Sequence, residues 1–182
     1  MINQNNSIEY IELVFKNSYE IMPNKLNLNA FKQFIFKYDF WENTFLIWIN
    51  ILLNEFNQFL PNYLLNKNSC SLSFEIVDDL KISDLNKKWL NKLGPTDVLS
   101  FPILSKEDSV NYLTSIEFGD IFISLEMAIK QSIEYNTSLE QEVIWLASHG
   151  FLHLLGWDHK NQSQLENMIK VQEYLISKLI FE

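Results

Sequence analysis

The 182-residue chain contains no arginine: its 14 basic residues are all lysines, set against 23 acidic ones for a net charge of −9. Broad, non-specific nucleic-acid surfaces rely on lysine and arginine at phosphates, so any bound polyanion would need a local basic site. Lysine in place of arginine, with abundant asparagine and isoleucine, looks like AT-rich coding sequence and carries no functional conclusion. Cysteine occurs once, at Cys70. That excludes an internal disulfide, suits a reducing cytosol, and reads as a small buried hydrophobe. The first residues, Met-Ile-Asn-Gln-Asn-Asn-Ser, lack the basic and apolar regions of a secretory signal. The most apolar stretch, 45–65, is broken by Asn50, Asn54, Glu55, Asn57 and Pro61, too often to span a bilayer. The expectation is a cytoplasmic protein with no membrane partner.

Glycine is also scarce, with four in the chain against ordinary usage of about 7%. Gly94 precedes Pro95, Gly119 precedes Asp120, and Gly150 and Gly156 share one short window with the histidines. Such sparing use suggests backbone positions that tolerate little else.

What is present supports a globular fold: 47% of residues are hydrophobic and 14% aromatic. The length is most simply one domain, residues 1–182. Alternation from Ser7 to Phe15 predicts a first strand, while 17–38 follow no clear period and suggest an inserted segment. Asp39 with Glu42 resembles a capping box ahead of a helical stripe of Trp41, Phe45, Trp48, Leu52 and Phe56. Ser71–Val77 reads as a second strand, then a helix from about Ser83 to Leu93 ended by Gly94-Pro95. Asp97–Leu104 and Asp120–Ser124 read as third and fourth strands, and Ser124 can cap a helix reaching about Tyr135. Ser138-Leu-Glu-Gln141 is a capping box for the next helix. Ser163-Gln-Leu-Glu166 opens the last one, with Leu165, Met168, Ile169, Leu175, Ile176 and Leu179 on its buried face. The pattern predicts an α+β fold, a small mixed four-stranded sheet packed with five or six helices.

All three histidines fall between His149 and His159. Residues four apart on a helix share a face, so His149 and His153 can bind one ion together. Gly156 can adopt the left-handed conformation that stops a helix and turns the chain back toward His159. Three ligands and a vacant fourth position for water are the mark of a catalytic zinc. Such an ion lowers the pKa of its water from about 15.7 toward 7, so hydrolysis is the first reaction class to consider. Asp158 could orient a neighbouring ligand or serve as a turn residue. Glu142, two turns before His149, could support it or be an ordinary surface carboxylate. The spacing also fits the zinc-protease motif H-E-x-x-H-x-x-G-x-x-H. There, however, the base slot is occupied here by Gly150, which cannot accept a proton.

The full window, H-G-x-L-H-L-x-G-x-D-H, resembles that of the YbeY-type endoribonucleases, the bacterial rRNA maturation factors. Pro95-Thr96-Asp97-Val98-Leu99-Ser100-Phe101-Pro102 and Gly119-Asp120-Ile121-Phe122-Ile123-Ser124 resemble two further landmarks of that family. The resemblance covers 70–182, and the N-terminal strand and helix loosely. It implies a zinc-dependent, single-strand-specific endoribonuclease in 16S rRNA 3′-end maturation and ribosome quality control. It further implies zinc on His149, His153 and His159, catalytic involvement of His149, and single-stranded rRNA and the ribosome or 30S subunit as partners, with no DNA. The chain departs from the family at Leu90, which stands where members commonly carry an arginine facing the site. An apolar side chain cannot clamp a phosphate. Lys87, Lys88 or Lys92 could substitute as point charges, or simply lie on a solvated helix face. Thr96, Ser100 and Asp120 fit structural roles, with cleft contacts as the alternative. A non-catalytic, zinc-containing ribosome assembly factor is the second reading, favoured by Leu90 and the acidic balance. A zinc metallopeptidase is the third, opposed by Gly150.

Overall fold

The computed structural model describes residues 7–19, 33–64, 67–105 and 114–179. Four strands, β1 (Tyr10–Asn17), β2 (Ser69–Val77), β3 (Val98–Pro102) and β4 (Ser115–Ser124), form one sheet in the order β1-β2-β4-β3. The first three in that order run parallel, and β3 is antiparallel to β4, pairing Val98 with Ile123 and Phe101 with Asp120. Among the described residues five α-helices accompany the sheet: α1 (Tyr38–Glu55), α2 (Asp79–Leu90), α3 (Leu125–Tyr135), α4 (Leu139–Leu154) and α5 (Gln162–Ser177). This is the α+β class with a mixed four-stranded sheet that the sequence pattern predicts. Of the expected inserted segment, residues 20–32 lie outside the described residues.

The core is aromatic. Trp41, Phe45 and Trp48 of α1 are fully buried against Phe74 of β2 and Phe151 of α4. The two indoles are anchored as well as buried: Trp41 Nε1 donates to the Ile35 carbonyl at 2.8 Å and Trp48 Nε1 to the Leu175 carbonyl at 3.1 Å. The second bond ties α1 to α5. Phe151 lies between His149 and His153 in sequence but enters this core, 5.2 Å from Phe45 and 6.1 Å from Trp48. Burying such a ring contributes about 1.5–3 kcal/mol and fixes the rotation of α4 about its axis. With Phe151 held inward, the two histidines are turned toward the opposite side.

Local capping chemistry moves several boundaries from their expected places. α1 starts at Tyr38, with Lys37 as an N-cap that makes no side-chain hydrogen bond. The Asp39–Glu42 capping box therefore does not form: Asp39 sits inside the first turn, where a negative charge suits the helix dipole. Glu42 instead accepts from the Tyr38 hydroxyl at 2.7 Å. α2 starts four residues early because the Asp78 side chain caps it, accepting from the Lys81 amide. It ends at Leu90 because Asn91 takes the left-handed conformation (φ 54°), so Gly94-Pro95 is not the stop signal. β4 begins at Ser115, earlier than expected, and pairs with β2 across a register shift between Ser71 and Ser73. α5 is capped by Asn161, whose side chain accepts from the Gln164 amide, in place of Ser163. The Ser124 cap of α3 and the full Ser138–Gln141 capping box of α4 form as predicted. No helix among the described residues is long and apolar enough to cross a membrane.

Candidate metal centre

α4 carries two of the histidines, and its C-terminal turn delivers the third. The helix ends in a Schellman arrangement: the Trp157 amide donates to the Leu152 carbonyl at 3.0 Å and the Gly156 amide to the His153 carbonyl at 2.9 Å. Gly156 supplies the positive φ of 79° that this geometry demands. The chain then returns past the helix end and places His159 beside the other two. The ring centroids are 4.6 Å (His149–His153), 5.3 Å (His149–His159) and 5.3 Å (His153–His159) apart. One ligand nitrogen from each lies within 4.8 Å of the others, so the trio could hold a metal ion.

Hydrogen bonds at the far side of two rings determine which nitrogen faces inward. His153 Nδ1 meets the carbonyl oxygen of Trp157 at 2.9 Å. A carbonyl only accepts, so Nδ1 carries the proton and Nε2 keeps its lone pair. His149 Nδ1 meets Gln172 Oε1 at 3.2 Å. Gln172, on α5, is 1% exposed, and its Nε2 donates to the Trp145 carbonyl (3.2 Å) and to Ser148 Oγ (3.1 Å). With both amide hydrogens occupied there, the oxygen must face His149, which makes that ring an Nδ1–H donor too. Two lone-pair nitrogens consequently point at one another, His149 Nε2 and His153 Nε2, 3.1 Å apart. Neutral rings in these tautomers have no hydrogen to share and would repel. A cation between them removes the conflict, and nitrogens about 2.0–2.1 Å from a tetrahedral ion stand about 3.3 Å apart. Burial, the largest influence on each, holds His149 and His153 below the usual imidazole pKa and keeps the lone pairs available. The residues fit a divalent metal.

The trio opens onto a cleft of about 1090 Å³ bounded by α4, β3 and the loop after α2. Leu90 does face it, as do Lys92, Thr96 and Ser100, while Lys87 and Lys88 do not line it. Lys88 instead lies over the Trp89 ring, 5.1 Å from its centroid. Asp97 also lines the cleft, held by the Val98 amide at 2.8 Å and the Gln131 amide at 2.9 Å. Asp158 takes the turn role: its carboxylate accepts from the His159 amide at 2.8 Å and lies 3.6 Å from Lys160 Nζ. Glu142 is neither a surface carboxylate nor a histidine partner. It is buried, accepts from the Thr137 hydroxyl at 3.3 Å, and has its pKa raised, chiefly by burial. Asp120 lies within β4 opposite Phe101, in the structural role. Gly150 faces the sheet: a Cβ there would stand 2.8 Å from Ser100 Oγ and 3.0 Å from Ile121 Cγ2. The helix approaches the sheet this closely because the residue has no side chain.

Sequence reasoning missed the two groups that orient the rings, Gln172 and the Trp157 carbonyl. A weak signal for the first existed. Gln172 occupies the i+4 position from Met168, a buried polar residue in an otherwise apolar stripe. A backbone carbonyl has no such signature.

The endoribonuclease YbeY family model matches residues 40–180. An endoribonuclease YbeY of Prochlorococcus marinus (strain MIT 9215) is 55% identical over 170 residues, covering 93% of this chain and 94% of the relative. Another, from strain MIT 9515, is 49% identical over 180 residues, covering 98% and 99%. One from Synechococcus sp. (strain CC9605) is 43% identical over 129 residues, covering 71% and 78%. The solution structure of TM1509 from Thermotoga maritima covers 91% of this chain and 90% of its own, at 17% identity and a TM-score of 0.44, too loose a likeness to add to the fold above. With the family model matching residues 40–180 and relatives 49–55% identical over nearly the whole chain, the chain belongs to the endoribonuclease YbeY family.

Proposed function

We propose that this protein is a zinc-dependent, single-strand-specific endoribonuclease acting in the cytoplasm on 16S rRNA 3′ ends, in maturation and ribosome quality control. The observation that carries the reading is the pair of inward-facing Nε2 atoms of His149 and His153 at 3.1 Å, with His159 completing the trio. When bound there, zinc would supply an acidified water and a positive charge beside a phosphoryl oxygen. The remaining work belongs to the chain. Gln172 and the Trp157 carbonyl hold two ligand rings in the tautomer that presents Nε2. His149, which matches the family's catalytic histidine, is held by Gln172. Lys92 and Lys160 line the cleft and offer positive charge to the phosphates flanking the scissile bond, in a protein whose overall charge repels RNA. The attacking oxygen is either water or the RNA's own 2′-hydroxyl. We read residues 1–182 as a single catalytic domain, with 17–38 an inserted segment.

A non-catalytic assembly factor that uses zinc for stability is the second reading. Leu90 favours it, because it lines the cleft where a phosphate clamp would be useful. The deciding experiment measures bound metal in the purified protein and compares cleavage of a single-stranded 16S 3′-end RNA by wild type and His153→Ala. Zinc with cleavage that His153→Ala abolishes supports the nuclease. Zinc without cleavage, across a range of metals and salt, supports the assembly factor. A chain that binds no metal contradicts both.

A further inference from the structure

Beyond Trp157 and Asp158 the histidine cleft continues into a second pocket of about 650 Å³ that shares both residues with it. Beside the Asp158 carboxylate, its walls carry three kinds of group. Phe59, in the segment after α1, is 50% exposed, and its ring lies 5.4 Å from that of Trp157, tilted by 51°. Gln164 and Asn167, on the first turns of α5, bring side-chain amides to the rim. Lys170 adds a positive charge one turn further on. Neither Asn167 nor Lys170 has a hydrogen-bond or ion-pair partner among the described residues. An aromatic face, an amide edge and an unpaired cation match the three parts of a nucleotide: a flat π-surface, a hydrogen-bonding rim and a phosphate.

We propose that this pocket is a nucleobase subsite, which seats one unpaired base of the single-stranded RNA adjoining the phosphate at the histidines. The proposal rests on the nuclease reading above and names where its substrate is held. Position supports it, because the Trp157 carbonyl that orients His153 belongs to the same residue whose ring packs on Phe59. The subsite therefore begins two residues from the ligand His159, where a neighbouring nucleotide must lie. Charge separates it from the pocket at the other end of the cleft. That one also holds aromatic rings, Tyr135 and Trp145, but it is lined by two carboxylates, Glu142 and Glu173, with no cation, whereas Lys170 offsets Asp158 in the proposed subsite. The tilt between Phe59 and Trp157 leaves no slot between them, so the base stacks on the exposed half of Phe59. A paired base cannot reach this surface without leaving its stack, which gives single-strand preference a structural cause.

The test uses the zinc-loaded protein and a fluorescein-labelled 12-nucleotide single strand, 2′-O-methylated to block attack by the 2′-hydroxyl and checked for intactness on a denaturing gel, with affinity read by anisotropy. Phe59→Ala should weaken binding roughly 5- to 150-fold, the range for losing one base–aromatic stack, and Phe59→Trp should restore it. Oligonucleotides with a single abasic residue, placed position by position, should show one position with a matching loss in wild type and no further loss in Phe59→Ala. This scan needs no variant, so it decides the question even if Phe59→Ala folds poorly. Unchanged affinity in folded Phe59→Ala, or a scan with no sensitive position, overturns the subsite alone. Wild type that does not bind single-stranded RNA overturns the nuclease reading and the subsite together.

Discussion

Replacing Gln172 by leucine removes an acceptor from His149 Nδ1 while keeping close to the same volume in a site that is 1% exposed. The buried neighbours on the donor side suffer little. Ser148 Oγ still donates to the Trp145 carbonyl at 2.8 Å, so neither depends on Gln172 alone. His149 suffers more: its Nδ1–H is left buried without a partner, worth about 1–3 kcal/mol, and nothing then favours the tautomer that presents Nε2. Losing the group that orients a metal-ligating histidine typically costs 10- to 100-fold in metal affinity. Gln172→Leu should therefore raise the zinc dissociation constant by roughly that factor, measured by competition with a chromophoric chelator, while its far-ultraviolet circular dichroism stays that of wild type. Gln172→Glu keeps an oxygen for His149 but loses the donors to Trp145 and Ser148, so zinc affinity should fall less and stability more. A folded Gln172→Leu that binds zinc as wild type does would refute the claim that this amide orients the ligand.

Three further outcomes follow from the same geometry. Burial holds His149 and His153 below the usual imidazole pKa, so below about pH 6.5 the unfolded chain takes up protons that the folded chain resists. The metal-free protein should lose melting temperature as pH falls through that range, zinc should be expelled over the same range, and a double His149→Gln, His153→Gln variant should show a flatter profile. Gly150→Glu, which restores the peptidase base by sequence, should create no peptidase. Its side chain would be driven into Ser100 and Ile121, and melting curves should report a loss of about 3 kcal/mol or more. Leu90→Arg should be tolerated, because Leu90 is 48% exposed, and should raise kcat/KM on single-stranded RNA by placing a guanidinium in the cleft. Unchanged kcat/KM would show that the absent arginine is not what limits the enzyme.

How far the site could be read from the sequence depended on how local each interaction is. His149 and His153 were legible because helical geometry fixes the relation of residues four apart. Gly156 was legible because the turn toward His159 needs a left-handed residue. The Ser138–Gln141 capping box placed the start of α4 correctly for the same local reason. Gln172 was hidden: it is 23 residues from His149, and only the docking of α5, through contacts such as Trp48 to the Leu175 carbonyl, brings it there. The Phe59–Trp157 contact is likewise a product of packing, across nearly a hundred residues. Boundaries were misplaced where two capping signals competed. Asn91 stopped α2 before Gly94 could, and Asn161 began α5 before Ser163 could.

On the proposed reading, His149, His153 and His159 hold a zinc ion that serves RNA cleavage. The most direct test is to strip the protein with a chelator, return one equivalent of zinc, and follow cleavage of one RNA sequence in single-stranded and duplex form. No cleavage is expected before zinc, with recovery at one equivalent per chain and a strong preference for the single strand. Cleavage that persists in the stripped protein, or that recovers equally in a variant lacking all three histidines, would contradict that reading.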